Sequence, residues 1–136
     1  MHPDIAETES LAVFVFDSED LKQDGAHWKA FMPTKADGER SVYRVDGLDF
    51  PGIAAIGQAI AATRTNQQLR GWATFPASVM AKLPGLRLRP DVLPNRPANE
   101  MPERHAVIDS WPAEKNDKRA CALVLSDAAE TVRFPL

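Results

Sequence analysis

Two short runs hold the residues of this 136-residue sequence best suited to moving protons or gripping an anion near neutral pH. RHAVIDSWP (residues 104–112) sets Arg104 and His105 at the head of an apolar stretch, and SVYRV (residues 41–45) carries Tyr43 and Arg44, with Asp46 just beyond. Histidine exchanges protons near pH 7, and arginine clamps an oxyanion with two parallel N–H donors. A convergence of His105 with Arg44 and Tyr43 would therefore suit an enzyme acting on a phosphate-bearing substrate such as a nucleotide or RNA. Asp109 cannot orient His105, because on an extended strand the two share a face but stand about 13 Å apart. A catalytic His105 needs its partner from another element, and Arg44, Tyr43 and Asp46 are the local choices. The alternative is that the pair simply opens a buried strand.

A second constellation is electrostatic. The net charge of −3 is unevenly spread: residues 1–27 carry −6, residues 28–63 are balanced, residues 64–104 carry +4 and residues 105–136 carry −1. A basic segment containing Arg70, Arg87, Arg89 and Arg104, with Trp72 and Tyr43 as stacking rings, would suit single-stranded nucleic acid or an acidic protein partner. The plainer reading is that the acidic and basic segments neutralise each other. His2 falls in an acidic N-terminal stretch, residues 1–10, that reads as flexible, and His27 reads as a packing residue beside Trp28. Cys121 is the only cysteine, so a multi-cysteine metal site and an intrachain disulfide are ruled out; mid-helix on an apolar face it reads as a small core residue. No phosphate-binding loop, dinucleotide fingerprint, zinc-protease motif or serine-hydrolase elbow is present, and no cofactor or metal is expected.

The elements that must carry these residues follow from pattern. LAVFVF (11–16) is a continuous β-branched and aromatic run, the signature of a buried strand. HWKAFM and RSVYRV flank PTKADGE, whose Asp-Gly suits a turn, so residues 28–45 read as a β-hairpin with Trp28, Ala30 and Met32 on one face. Asp49, Pro51 and the spacing of Ile53, Ile56 and Ile60 predict a helix. LRGWATF, GLRLRP and HAVI read as strands, PASVMAKL as a short helix, and residues 90–103, with four prolines, as a stiff surface loop. Residues 113–128 predict a second long helix with Cys121, Val124, Leu125 and Ala128 on its apolar face, and TVRFPL a closing edge strand.

Apolar residues at 44% and charged residues at 26% describe an ordinary globular chain, and 136 residues fit one domain with one core. The expected fold is α+β, a single compact domain (1–136) with a mostly antiparallel sheet of about five strands and two main helices packed on it. No apolar run spans a membrane and the N-terminus lacks the pattern of a secretory signal, so a cytoplasmic location is expected, as a monomer or simple homo-oligomer. For function, a small binding or regulatory protein acting through contacts with a protein partner leads; the phosphate-directed enzyme and the nucleic-acid module are the alternatives.

Overall fold

The computed structural model describes residues 3–23, 25–35 and 37–135, so the sequence reading of His2 lies outside the described residues. The chain forms an α+β domain around a six-stranded, wholly antiparallel sheet. Its strands are β1 (Ser10–Val15), β4 (Arg40–Arg44), β5 (Gly71–Pro76), β6 (Arg87–Pro90), β7 (His105–Asp109) and β8 (Glu130–Arg133), in the spatial order β6-β7-β4-β1-β5-β8. A two-stranded ribbon of β2 (Leu21–Lys22) and β3 (Gly25–Ala26) stands beside it. Among the described residues no helix is long and apolar enough to cross a membrane.

β1 is central and covered on both sides, which is why its sequence is continuously apolar and not alternating. Leu11, Val13 and Val15 face a core built with Phe31, Phe75, Ile108, Ala122 and Leu125; Ala12 and Phe14 face a second core with Tyr43, Ile53, Ile56, Ile60 and Trp72. The first core is closed by helix α2 (Lys115–Ala128), the second by helix α1 (Phe50–Ala62). Helix α1 starts where the sequence indicates: the Asp49 carboxylate accepts the Gly52 N–H at 2.8 Å, and Pro51 occupies the first turn. It lies tight on the sheet because Gly57 has no side chain; a Cβ there would meet Phe14 Cδ1 and Leu69 Cδ1 at 2.8 Å. Helix α2 buries Ala122 and Leu125, with Cys121, Val124 and Ala128 half-buried beside them, the register expected from spacing.

Two expectations are corrected. Residues 28–45 do not form a hairpin: Trp28–Phe31 is a 3-10 turn capped by His27, whose Nδ1 accepts the Lys29 N–H at 3.2 Å, and β4 pairs with β1 and β7 instead. Ala30 and Phe31 are consecutive and both buried, an arrangement a turn allows and a strand with one wet face forbids. The Asp37-Gly38 turn does form, with Asp37 Oδ1 accepting the Glu39 N–H and Gly38 at φ 69°, but it leads from the 3-10 turn into β4. Residues 3–9 are tied down: Glu9 and Glu7 carbonyls accept N–H groups of Ala77 and Ser78, and the Glu9 carboxylate binds Arg44. The α+β fold with a mostly antiparallel sheet is as expected, and GLRLRP and TVRFPL, both read as strands, form its two edges.

Candidate functional site

The geometry of β4 settles first which of the singled-out residues meet. Tyr43 lies opposite His105 on the neighbouring strand, and their rings pack edge to face at 5.3 Å. Arg44, the next residue, projects to the other face of the sheet, since successive side chains alternate. There both ends of its guanidinium bind Glu9, Nε to Oε1 and Nη2 to Oε2, each at 2.8 Å, and Nη2 also donates to the Asp4 carbonyl. The pair His105 and Arg44 therefore does not converge on one substrate.

The basic face is not assembled either. Trp72 is fully buried and offers no ring for a base to stack on, and Tyr43 is nearly so, away from the exposed arginines of the basic segment. Arg87 and Arg89 both bind the Asp109 carboxylate, and Arg89 also pairs with Glu39 and Asp91. Together they hold the Asp109 carboxyl well below the ordinary carboxylate range, Arg87 contributing most. Arg104 donates to the backbone carbonyls of Arg44 and Asp46, fastening the proline-rich segment to the end of β4. Arg70 is exposed. Cys121 is half-buried, and that burial, followed by Asp117, pushes its thiol up, away from the nucleophilic thiolate.

What the structure does assemble lies at a break in the sheet, where the strands part and residues from both of its faces line one cavity. β1 pairs with β5 along all six of its residues but with β4 only at Leu11–Arg44 and Ala12–Tyr43. Beyond Ala12 the β1–β4 ladder stops while both strands continue, each held by its outer neighbour. A cavity of about 490 Å³ opens there, lined by Phe14, Phe16, Tyr43 and His105, the end of α1 (Ile60, Thr63), Arg64, and Leu93, Arg96 and Glu100 of the proline-rich segment.

Arg40 lies at the parted end of the ladder. Its Nη2 donates one long hydrogen bond, 3.4 Å, to the Phe14 carbonyl, its Nε is buried with no hydrogen-bond partner, and it forms no ion pair among the described residues. Burial lowers its pKa to about 10, against a smaller opposing pull from Asp20, with nearby Arg64 making the least contribution, also downward. The other cations of the wall are differently placed. Arg96 grips the buried Glu100 with two bonds, 3.0 and 2.7 Å, and also donates to Thr63 Oγ1. Arg64 lies over the Phe16 ring at 4.9 Å and donates to Gln67. With Arg96 and Glu100 cancelling, Lys29, Arg40 and Arg64 face Asp17 and Asp20, a surplus of one positive charge on the lining.

The floor is aromatic: Phe14 meets Tyr43 edge to face at 5.5 Å, and Phe16 stands 6.5 Å from Phe14. Burial, with Glu100 adding to it, pushes the Tyr43 hydroxyl up to about 12, so it stays neutral at physiological pH. His105 Nδ1 lies 2.7 Å from the Asp91 carbonyl oxygen and 3.3 Å from Asp91 Oδ2. A carbonyl only accepts, so Nδ1 carries the proton. Of the cavity residues, sequence reasoning singled out Tyr43 and His105 and missed Arg40, Arg64, Arg96 and Glu100. Period 2 in RSVYRV does place Arg40 on one face with Val42 and Arg44, and an arginine beside a core valine was the available signal. No family model matches the chain, and neither does any curated protein or solved structure.

Proposed function

We propose that the protein is a small binding protein whose cleft takes an organic anion: a carboxylate or phosphate held by Arg40, with a flat apolar body lying over Phe14, Phe16 and Tyr43. Arg40 carries this reading. A guanidinium with a buried, unpartnered N–H is costly to keep, and an oxyanion is the partner its planar fork of donors matches. The cavity volume suits a small organic molecule, and its aromatic walls with a few polar groups at the ends are the usual make-up of a ligand site. Binding is favoured over catalysis because His105 and Arg44 stand on opposite faces of the sheet. A protein partner is less well supported: the large exposed apolar side chains among the described residues, Phe50, Val92 and Leu123, belong to α1, the proline-rich segment and α2 and not to one element.

The test is an NMR titration of the isotope-labelled protein with benzoate and phenyl phosphate, with benzyl alcohol as the neutral control. The anions should shift amides of Phe14, Phe16, Arg40 and Tyr43 saturably, and Arg40→Gln should weaken binding about tenfold or more, as expected when a charge-assisted pair is lost. Equal binding of benzyl alcohol, or anion-induced shifts confined to other surfaces, would overturn the reading.

A further inference from the structure

The cleft has a second polar group whose role packing does not exhaust. His105 is almost fully buried on β7, yet only one of its ring nitrogens is engaged: Nδ1–H goes to the Asp91 carbonyl, while Nε2 takes no partner among the described residues. With the proton on Nδ1, the ring in its neutral form presents a lone pair at Nε2, and the ring lines the same cavity as Arg40. Its orientation is fixed on two sides, by the 2.7 Å bond to Asp91 and by the edge-to-face contact with Tyr43, so the lone pair has a set direction. Tyr43 is three residues from Arg40 along β4 and His105 is one strand over, which puts the two Cα positions about 11 Å apart at ordinary strand spacings. Between them lies the aromatic floor. Both residues line the one cavity of about 490 Å³, which leaves room for a one- or two-ring molecule.

We infer that His105 is the specificity-determining residue of the cleft: its Nε2 accepts a hydrogen bond from an N–H or O–H donor on a flat ring, at the end away from the anionic group that Arg40 holds. The ligand class is thus narrower than an organic anion. It is an aromatic or heteroaromatic anion carrying a donor, the chemistry shared by hydroxyaryl acids and by nucleotides with a ring N–H. This rests on the anion-binding reading of the cleft and adds to it a demand on the far end of the ligand. An acceptor left facing an apolar or methylated group loses its hydrogen bond without recovering water, and that loss is what discriminates.

Two probe pairs, each differing only in the donor, test this by calorimetry or NMR titration: 4-hydroxybenzoate against 4-methoxybenzoate, and uridine 5′-monophosphate against its N3-methyl derivative. The short pair and the long pair bracket the span of the cleft. The wild-type protein should prefer the donor in at least one pair by on the order of tenfold. His105→Asn, whose side-chain amide can still donate to the Asp91 carbonyl but reaches no farther, should erase the preference. His105→Gln, whose amide oxygen can take the Nε2 position, should keep part of it. Nitrogen NMR of the wild-type ring gives a readout independent of the variants' folding: the Nε2 resonance should move on adding the donor-bearing probe and stay in place with the methylated one. Anion binding that depends on Arg40 but shows no preference in either pair overturns the role of His105 and leaves the anion reading standing. So does a preference that survives in His105→Asn. Failure of all four probes together with benzoate and phenyl phosphate overturns both.

Discussion

Arg40 and Arg44 stand four residues apart on one face of β4, and exchanging each for methionine should move stability in opposite directions. Burial lowers the Arg40 pKa from 12.5 to about 10, a shift that corresponds to about 3 kcal/mol held against the charged form. The guanidinium is charged at pH 7 in both the folded and unfolded chain, so this cost acts in full there and is relieved only as pH rises through about 10. Methionine keeps most of the apolar stem and has no charge to desolvate. It gives up the 3.4 Å bond to the Phe14 carbonyl, which at that length is worth less than about 1 kcal/mol. Part of the Arg40 side chain still reaches solvent, which reduces the gain, so Arg40→Met is expected to raise the unfolding free energy of the ligand-free protein by about 1–2 kcal/mol. Arg44 is the contrast. Its side chain and that of Glu9 are 4% and 13% exposed and bound at both ends. Arg44→Met takes the guanidinium from that carboxylate and should cost about 2–4 kcal/mol. Urea unfolding followed by circular dichroism at pH 7 reads both, as midpoints displaced to higher and lower urea at unchanged slope. A loss of stability in Arg40→Met comparable to that in Arg44→Met would refute the view that Arg40 is an uncompensated charge, and with it the observation on which the anion site rests.

Two further outcomes test the frame around the cleft. Leu125 is wholly buried between α2 and the sheet whereas Leu123 is 38% exposed, so Leu125→Ala should cost about 2–5 kcal/mol and Leu123→Ala less than about 1, measured as urea midpoints; equal losses would undo the register of α2. The Asp109 carboxyl is held low by Arg87 and Arg89 in the folded chain, so its contribution is complete above the unfolded value near 4 and is lost as pH falls below that. Asp109→Asn should therefore be less stable than the wild type at pH 7 by a margin that narrows toward pH 2.5, and a margin independent of pH would contradict the ion pairing.

Elements whose burial is decided locally were legible in the chain. LAVFVF announces a strand covered on both faces, and Asp49, Pro51 and three isoleucines announce α1, because the cap and the stripe lie within a dozen residues of each other. HWKAFM was misread because six residues fit a strand and a tight turn equally well; the choice is made by α2, almost a hundred residues later, whose apolar face meets Phe31. The site is harder still. RSVYRV holds two arginines in near-identical settings, and only Glu9, thirty-five residues before Arg44, makes one a paired structural residue and leaves the other facing a cavity. His105 could be singled out by type, but not its bond to Asp91, which depends on β6 doubling back beside β7.

The short β1–β4 ladder makes the six-stranded sheet, mechanically, two leaves of three strands. β6, β7 and β4 form one and β1, β5 and β8 the other, stitched by two residue pairs and the Val45 N–H to the Ser10 carbonyl. Such a seam is where a sheet yields first under load, and where amide hydrogens trade with solvent without global unfolding. Arg40 belongs to one leaf and Phe14 to the other, with the cleft at the open end of the seam. A molecule seated there, its charged end on one leaf and its ring against the other, acts as a rivet across the parting. On the proposed reading, occupancy would slow amide exchange along that seam.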